Sequence, residues 1–236
     1  MQPHLDHPEC AFCGSIHKSI FCDLNGLDLE KLSAEKNCTI YKKGQIVFNS
    51  GGYPGGLYCV KEGKIKIYKT GDEGKDQILR LVKSGDLMGY RALLAGEKYE
   101  ATAEVLEEAK LCFVPKATFL NLLKTNGGLS MEVMKLLSNE LGVAEDRMTD
   151  LAQKPVRERV AEALLYMKET YGLENDGSTI GVVLSREDIA NIVGTAKETL
   201  IRLLSEFKSD GIIKLEGKKI SILNLPKLIK TANMFD

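Results

Sequence analysis

The chain has 236 residues, 44% hydrophobic and 28% charged, with 32 Lys and Arg against 33 Asp and Glu for a net charge of −1. That length supplies apolar surface for two ordinary cores, and the near-neutral balance excludes a general basic field, so a nucleic-acid partner would need a local patch. No stretch approaches eighteen uncharged apolar residues, and the N-terminus lacks the basic start and apolar middle of a secretory signal. The expected location is therefore the cytoplasm, where the six cysteines are expected as thiols or ligands rather than disulfides.

Residues 1–23 are rich in Cys and His: HPECAFCGSIHKSIFC holds Cys10, Cys13 and Cys22, and the three histidines are His4, His7 and His17. Residues 24–128 read as one sensor domain. LNGLDLEKLSAEK is a short amphipathic helix, and from Cys38 to Pro115 short alternating apolar segments are separated by Gly-rich turns, among them GLYCVKEG, KIKIYKTGDEG, DQILRLVKSG, ATAEVLEE and AKLCFVP. Alternation at every second position, with turn signals every eight to twelve residues, indicates half-buried antiparallel strands closing into a double-sheet roll or barrel. Within these strands Cys38 and Cys59 read as small buried apolar residues.

Beyond Pro115 the period becomes helical. Met134, Leu137, Leu141, Ala144, Met148 and Leu151 are spaced 3, 4, 3, 4, 3 and line one seam of a long helix over 129–153. So narrow a stripe suits a partner helix, and a parallel homodimer forming without a ligand is expected; the alternative is packing on its own roll. Pro155 ends or kinks that helix. From 154 to 236 the pattern gives a helix (PVRERVAEALLYMKETYG), a short strand (TIGVVLS), two further helices, a hairpin turning at EGKK and a terminal helix.

The chemistry lies between residues 185 and 207. Ser185 caps a helix that opens with Arg186, Glu187 and Asp188, acidic groups that suit its dipole. Ile189, Ala190, Ile192 and Val193 supply a buried face and Gly194 a tight turn. The next helix carries Lys197, Glu198 and Arg202 on one side and Leu200, Leu203, Leu204 and Phe207 on the other. This is a helix-turn-helix whose polar face can meet base edges. Three charged residues alone would more simply be a solvated face; the cap, the Gly turn and the following hairpin wing argue against that.

LSREDIANIVGTAKETLIRLLSEFKSDGIIKLEGKKISILN resembles the C-terminal domain of the CRP/FNR family of bacterial transcription regulators, typified by the cyclic-AMP receptor protein and the fumarate and nitrate reduction regulator. The resemblance continues upstream through EGKIKIYKTGDEGKDQILRLVKSGDLMG and the long helix, covering nearly the whole chain. It implies an α+β protein: an N-terminal double-stranded β-roll of the cyclic-nucleotide-binding, jelly-roll kind, a long dimerisation helix and a C-terminal winged helix-turn-helix. It also implies a homodimer on palindromic double-stranded DNA, with RNA polymerase as partner. In the family an E-x3-R pair reads the shared G·C core of each half-site, which here is Glu198 and Arg202. Arg202 can fork onto guanine O6 and N7 while Glu198 accepts from cytosine N4, each contributing roughly 1–3 kcal/mol of discrimination. Lys197 holds the variable reading position, Ser185 and Arg186 match phosphate-holding positions, and Thr195 and Thr199 are placed to reach the backbone.

Family members that bind cyclic nucleotides use a Glu for the ribose and an Arg-Ser pair for the phosphate. Aligned through SGDLMGYRALLAGEKYEATAEV, these positions hold Tyr90, Glu100 and Ala101. A carboxylate replaces the phosphate-binding cation, so cyclic AMP is not expected in the usual pose. Arg91 and Lys98 leave another small anionic ligand open.

The anaerobic regulator of the family binds a [4Fe–4S] cluster through three N-terminal cysteines and one distant cysteine, and Cys112 matches the distant ligand. With Cys10, Cys13 and Cys22 it completes four thiolates, although the C-x2-C-x8-C spacing is three residues longer at the second gap. Three readings stand open: this cluster as an oxygen or nitric oxide sensor, a zinc site from Cys10, Cys13 and His17 or Cys22 with His7 or His4, and no metal, with Cys10 and Cys13 an oxidisable pair. An enzyme is not expected. A cupin holds its metal by histidines projecting from the strands, no histidine follows His17, and no phosphate loop or nucleophile set appears. The stronger rival is a regulatory module that binds protein partners without DNA.

Overall fold

The computed structural model describes residues 9–24 and 26–233; His4 and His7 lie outside the described residues. Two short 3-10 turns, Cys10–Phe12 and Ile16–Lys18, lead to helix α1 (Gly26–Glu35), which buries Leu32. The alternating region forms strands β1 (Asn37–Tyr41), β2 (Ile46–Phe48), β3 (Gly56–Thr70), β4 (Asp76–Val82), β5 (Leu87–Met88) and β6 (Thr102–Pro115). Strands β1, β2 and β3 pair antiparallel with β6, β5 pairs antiparallel with β3, and β4 borders β3.

The sequence pattern predicts two strands on either side of Glu62–Gly63, whereas the structure runs them together as β3. Gly63 adopts φ +113°, and a Cβ there would lie 2.5 Å from the Ala109 Cα. The register against β6 shifts around Glu62, so the glycine bends the strand through a bulge instead of ending it. Segments ATAEVLEE and AKLCFVP likewise merge into β6. Val60, Ile65, Val105 and Leu111 form one cluster of the roll, while Leu57, Val114, Phe119 and Leu129 form another with α1 and the helices that follow.

Those helices are α2 (Tyr90–Ala95), α3 (Lys116–Thr125) and α4 (Gly127–Gln153). The polypeptide groups into two units, residues up to Lys69 with Arg80–Val143, and Thr70–Leu79 with the chain from Ala144. The division falls within α4. The second unit contains α5 (Val156–Tyr171), α6 (Arg186–Val193), α7 (Lys197–Ser209), β7 (Ile213–Glu216), β8 (Lys219–Ile222) and α8 (Leu225–Thr231). Val160, Leu164, Ile189, Leu200, Leu204, Phe207 and Leu228 are fully buried there. The expected strand TIGVVLS is reduced to isolated bridges, Leu173 with Ile180 and Thr179 with Ser221. Gly181 explains part of this, because its backbone runs so close to Tyr171 that a Cβ would lie 2.5 Å from that carbonyl oxygen. The EGKK hairpin is present as β7 and β8 in the expected register, Glu216 opposite Lys219. Among the described residues no helix is long and apolar enough to cross a membrane.

Candidate nucleic-acid interface and sensor-domain sites

Helix α6 begins where the sequence places its cap. Ser185 Oγ accepts from the Asp188 amide at 2.9 Å, and the Asp188 carboxylate accepts from the Ser185 amide at 3.2 Å, a reciprocal capping box. Leu184 and Ile189, one residue before the cap and four after it, are both buried, the pattern of a hydrophobic staple. Gly194 ends the helix in the left-handed region at φ +69°. Three residues later α7 starts, burying Leu200, Leu203, Leu204 and Phe207 and leaving Lys197, Glu198, Ile201, Arg202 and Ser205 exposed.

The structure therefore brings Lys197, Glu198 and Arg202 onto one open helical face, with Thr195 and Thr199 half-buried beside it. Ile201 and Ser205 belong to the same face, and only the burial pattern singles them out. Lys197 Nζ lies 3.6 Å from Glu187, and Arg202 leans one turn along α7 onto Glu206, which also receives Arg157 at 2.7 Å. These exposed pairs are weak, so neither holds Lys197 or Arg202 firmly in place. Ser185 and Arg186 are differently engaged. The Ser185 hydroxyl serves the cap, and Arg186 donates to the Gly217 carbonyl at 2.9 Å and the Lys218 carbonyl at 3.3 Å, tying α6 to the wing turn. Burial lowers the Arg186 pKa from its ordinary value.

In the first unit, α4 buries Leu129 and Val133, and Leu137 packs against the same cluster. Met134, Leu141, Met148 and Leu151 are exposed to 52%, 61%, 68% and 45%, and Ala144 is exposed with them. An apolar stripe open to this degree on one chain asks for a partner surface.

The four effector-pocket positions separate into two groups. Tyr90, buried at the start of α2, accepts from Arg80 at 3.2 Å, and Arg80 also pairs with Glu140 of α4. Burial pushes the Tyr90 phenol well above its usual range. Glu100 instead faces Lys69 at 2.8 Å and Arg91 at 3.5 Å, with Ala101 half-buried next to it. The hydrogen bond from Lys69 lowers the Glu100 pKa, with the Lys69 and Arg91 charges acting the same way. Arg91 also meets Glu97 at 3.4 Å, and Lys98 lies over the Tyr53 ring. Lys69 and Arg91, the cations beside Glu100, are thus answered by the protein's own carboxylates. Aromatic rings continue the roll interior: Phe48 stacks on Tyr99 at 4.1 Å and packs near Tyr58, which meets Phe113 at 5.1 Å. Burial raises Tyr58 and Tyr99 to about 12 each.

The cysteines depart most from expectation. Cys112 forms a disulfide with Cys38, so neither is a free thiol. Facing strand residues, Cys38 on β1 and Cys112 on β6, bring the sulfurs together, a pairing that sequence spacing does not reveal. Cys10, Cys13, Cys59 and Cys112 line one cavity of about 40 Å3 together with Lys36. Cys22 is exposed outside this lining, its thiol pushed up by desolvation and by Asp23. Cys59, read as plain packing, is a half-buried wall of the cavity, and burial holds its thiol far above the usual range, with Cys10 adding to the shift. Of the proposed cluster ligands, three meet and Cys22 does not. A cavity of this size holds roughly one or two waters, and among the described residues no three His, Cys, Asp or Glu are placed to hold a metal ion. With Cys112 bonded to Cys38 and Cys22 outside the cavity lining, the [4Fe–4S] set Cys10, Cys13, Cys22 and Cys112 is not brought together in this arrangement, and His17 is exposed away from that lining.

A capped two-helix unit with a polar recognition face and a wing, joined to a roll and a long helix, defines a DNA-binding transcription regulator and not an enzyme. The chain matches the cyclic nucleotide-binding domain over residues 39–126 and the Crp-like helix-turn-helix domain over 158–231. It is 31% identical to the fumarate and nitrate reduction regulatory protein of Vibrio cholerae, over 95% of this chain and 90% of that protein. A solved transcriptional regulator of the CRP/FNR family from Thermus thermophilus is 28% identical, with a TM-score of 0.71 over 84% of this chain and 99% of its own. FixK2 of Bradyrhizobium japonicum, 24% identical, shares the fold with a TM-score of 0.75 over 85% and 99% of the two chains. The chain belongs to the CRP/FNR family.

Proposed function

We propose that this protein is a homodimeric, sequence-specific regulator that works in the cytoplasm and sets one α7 in each of two major grooves of a palindromic site. The observation that carries the reading is the exposed Lys197, Glu198 and Arg202 face on a helix whose other face is fully buried. Arg202 reads guanine and Glu198 the paired cytosine, while Lys197 sets the outer base. The open seam of Met134, Leu141, Ala144, Met148 and Leu151 supports pairing through α4, with Leu137 at its inner edge. Two such helices must stand roughly 34 Å apart to meet successive grooves. RNA polymerase is its protein partner at the promoter.

Cyclic AMP in the usual pose is not its effector, since Glu100 stands where a phosphate would need a cation and already engages Lys69 and Arg91. The signal acts at the thiols of the N-terminal segment, which respond to oxidants, oxygen or nitric oxide, and at Cys112, which responds in the same way once its bond to Cys38 is reduced. The test is a gel shift on a palindromic promoter fragment with the full chain and its Glu198→Ala/Arg202→Ala variant. Loss of selective binding with non-specific binding retained is expected. Unchanged affinity and selectivity would leave a module that acts on proteins without DNA.

A further inference from the structure

The cysteines of the roll lie in one row. β1 and β3 flank β6, and the register sets Cys38 opposite Cys112 on one side and Cys59 opposite Cys112 on the other. Directly paired residues of antiparallel strands share a face of the sheet, so three sulfurs follow one another across three strands. Cys38 and Cys112 are bonded, with Cα atoms 4.0 Å apart, and Cys59 is free. Above the row sits the N-terminal loop, held by Lys36 Nζ donating to Cys10 Sγ at 2.8 Å and by Ser33 accepting from the Cys10 amide at 2.7 Å. The disulfide is nearly sealed, Cys38 being 2% and Cys112 6% exposed. Cys112 nevertheless forms part of the cavity wall with Cys10, Cys13 and Cys59, whereas Cys38 does not. A nucleophile entering that cavity meets the Cys112 side of the bond first.

We propose that Cys38, Cys112 and Cys59 form a thiol–disulfide exchange site, with Cys112 as the shared sulfur, reached by a dithiol reductant when local opening exposes the cavity beside Cys10 and Cys13. It rests on the reading that the signal acts at thiols, and it names the bond concerned. In the internal step, on the local opening that relieves the burial holding the Cys59 thiol protonated, the Cys59 sulfur gives up its proton and attacks Cys112 Sγ. The Cys59–Cys112 bond forms, the Cys38–Cys112 bond breaks, and the Cys38 sulfur leaves with the electron pair and takes up a proton. No electrons are gained or lost overall. In the reductive step one sulfur of the dithiol attacks Cys112 Sγ and Cys38 leaves as a thiol. The second sulfur then displaces Cys112, so the dithiol becomes a disulfide and two electrons and two protons reach Cys38 and Cys112. The bond closes a sequence separation of 74 residues, so reduction removes a covalent tie between β1 and β6 and leaves their ladder to hold them.

The experiment uses the full chain, folded, exposed to oxidised or reduced dithiothreitol, quenched in acid, alkylated and mapped by peptide mass. Oxidised protein is expected to show four alkylated cysteines, Cys10, Cys13, Cys22 and Cys59, with a Cys38–Cys112 peptide, and reduced protein all six. Cys38→Ser is expected to yield a Cys59–Cys112 peptide, and Cys59→Ser to retain Cys38–Cys112. Should Cys38→Ser misfold, a minor Cys59–Cys112 peptide in the oxidised natural chain carries the same information. Six free thiols after oxidation, or no Cys59–Cys112 peptide in either Cys38→Ser or the oxidised natural chain, would overturn the proposal. Promoter affinity is read on the same samples: equal binding by both forms would refute the thiol-signal reading while the peptide map still decided the exchange site.

Discussion

Replacing Ser185 by Ala separates the structural part of the recognition unit from its DNA contacts. Alanine removes the acceptor for the Asp188 amide at 2.9 Å and the hydroxyl that donates to the Asp188 carboxylate at 2.6 Å. It leaves the Asp188 carboxylate on the Ser185 amide at 3.2 Å and the buried pair Leu184 and Ile189. An N-cap lost to alanine costs about 1 kcal/mol, which corresponds to roughly a fivefold change in a local opening equilibrium. Helix α6 has only eight residues, so the effect should extend through most of it. Hydrogen exchange resolved by residue is the suitable assay, since global unfolding of a chain with two units does not report one helix. Amides of α6 should exchange about fivefold faster, those of α5 should be unchanged, and Ser185→Thr should restore the natural rate. Promoter affinity should fall by no more than a similar factor if the hydroxyl acts only as a cap, and by more if it also holds a phosphate. Unchanged exchange across α6 would refute the capping argument.

Calorimetry with cyclic AMP should show no binding at about 1 mM, a concentration at which even a ligand worth only about 4 kcal/mol would be detected; saturable heat would contradict the role assigned to Glu100. For Leu141→Glu, sedimentation should show a weakened dimer. Two leucine side chains leave the seam, each contributing roughly 1.5–3 kcal/mol when buried, and a charge enters it. An unchanged dimer mass at micromolar concentration would move the interface off α4.

What could be read from the sequence follows the range of the interactions. The Ser185 cap, the Gly194 turn and the buried stripe of α7 are local, since each depends on residues within a few positions, and all appear as expected. The merger of two predicted strands into β3 was hidden because Gly63 is both a turn signal and the residue a bulge requires; only packing against Ala109 distinguishes them. Arg186 shows the limit more clearly. Its side chain meets backbone carbonyls 31 and 32 residues onward, and no side-chain pattern marks a carbonyl as an acceptor. The Cys38–Cys112 bond and its neighbour Cys59 depend on the register of three strands distant in sequence. The family resemblance and the C-x2-C spacing point to ligands, and neither carries information on that register.

The most direct test of the central claim is selection of duplexes from a random pool by the full chain and by Arg202→Ala. Enrichment of two inverted half-sites with a G·C core, centred one turn apart, is expected for the natural protein, with preference at the guanine relaxed in the variant. Recovery of no preferred sequence by the natural protein, or of the same sequence with equal preference by both, would contradict the assignment of α7 as the reading helix.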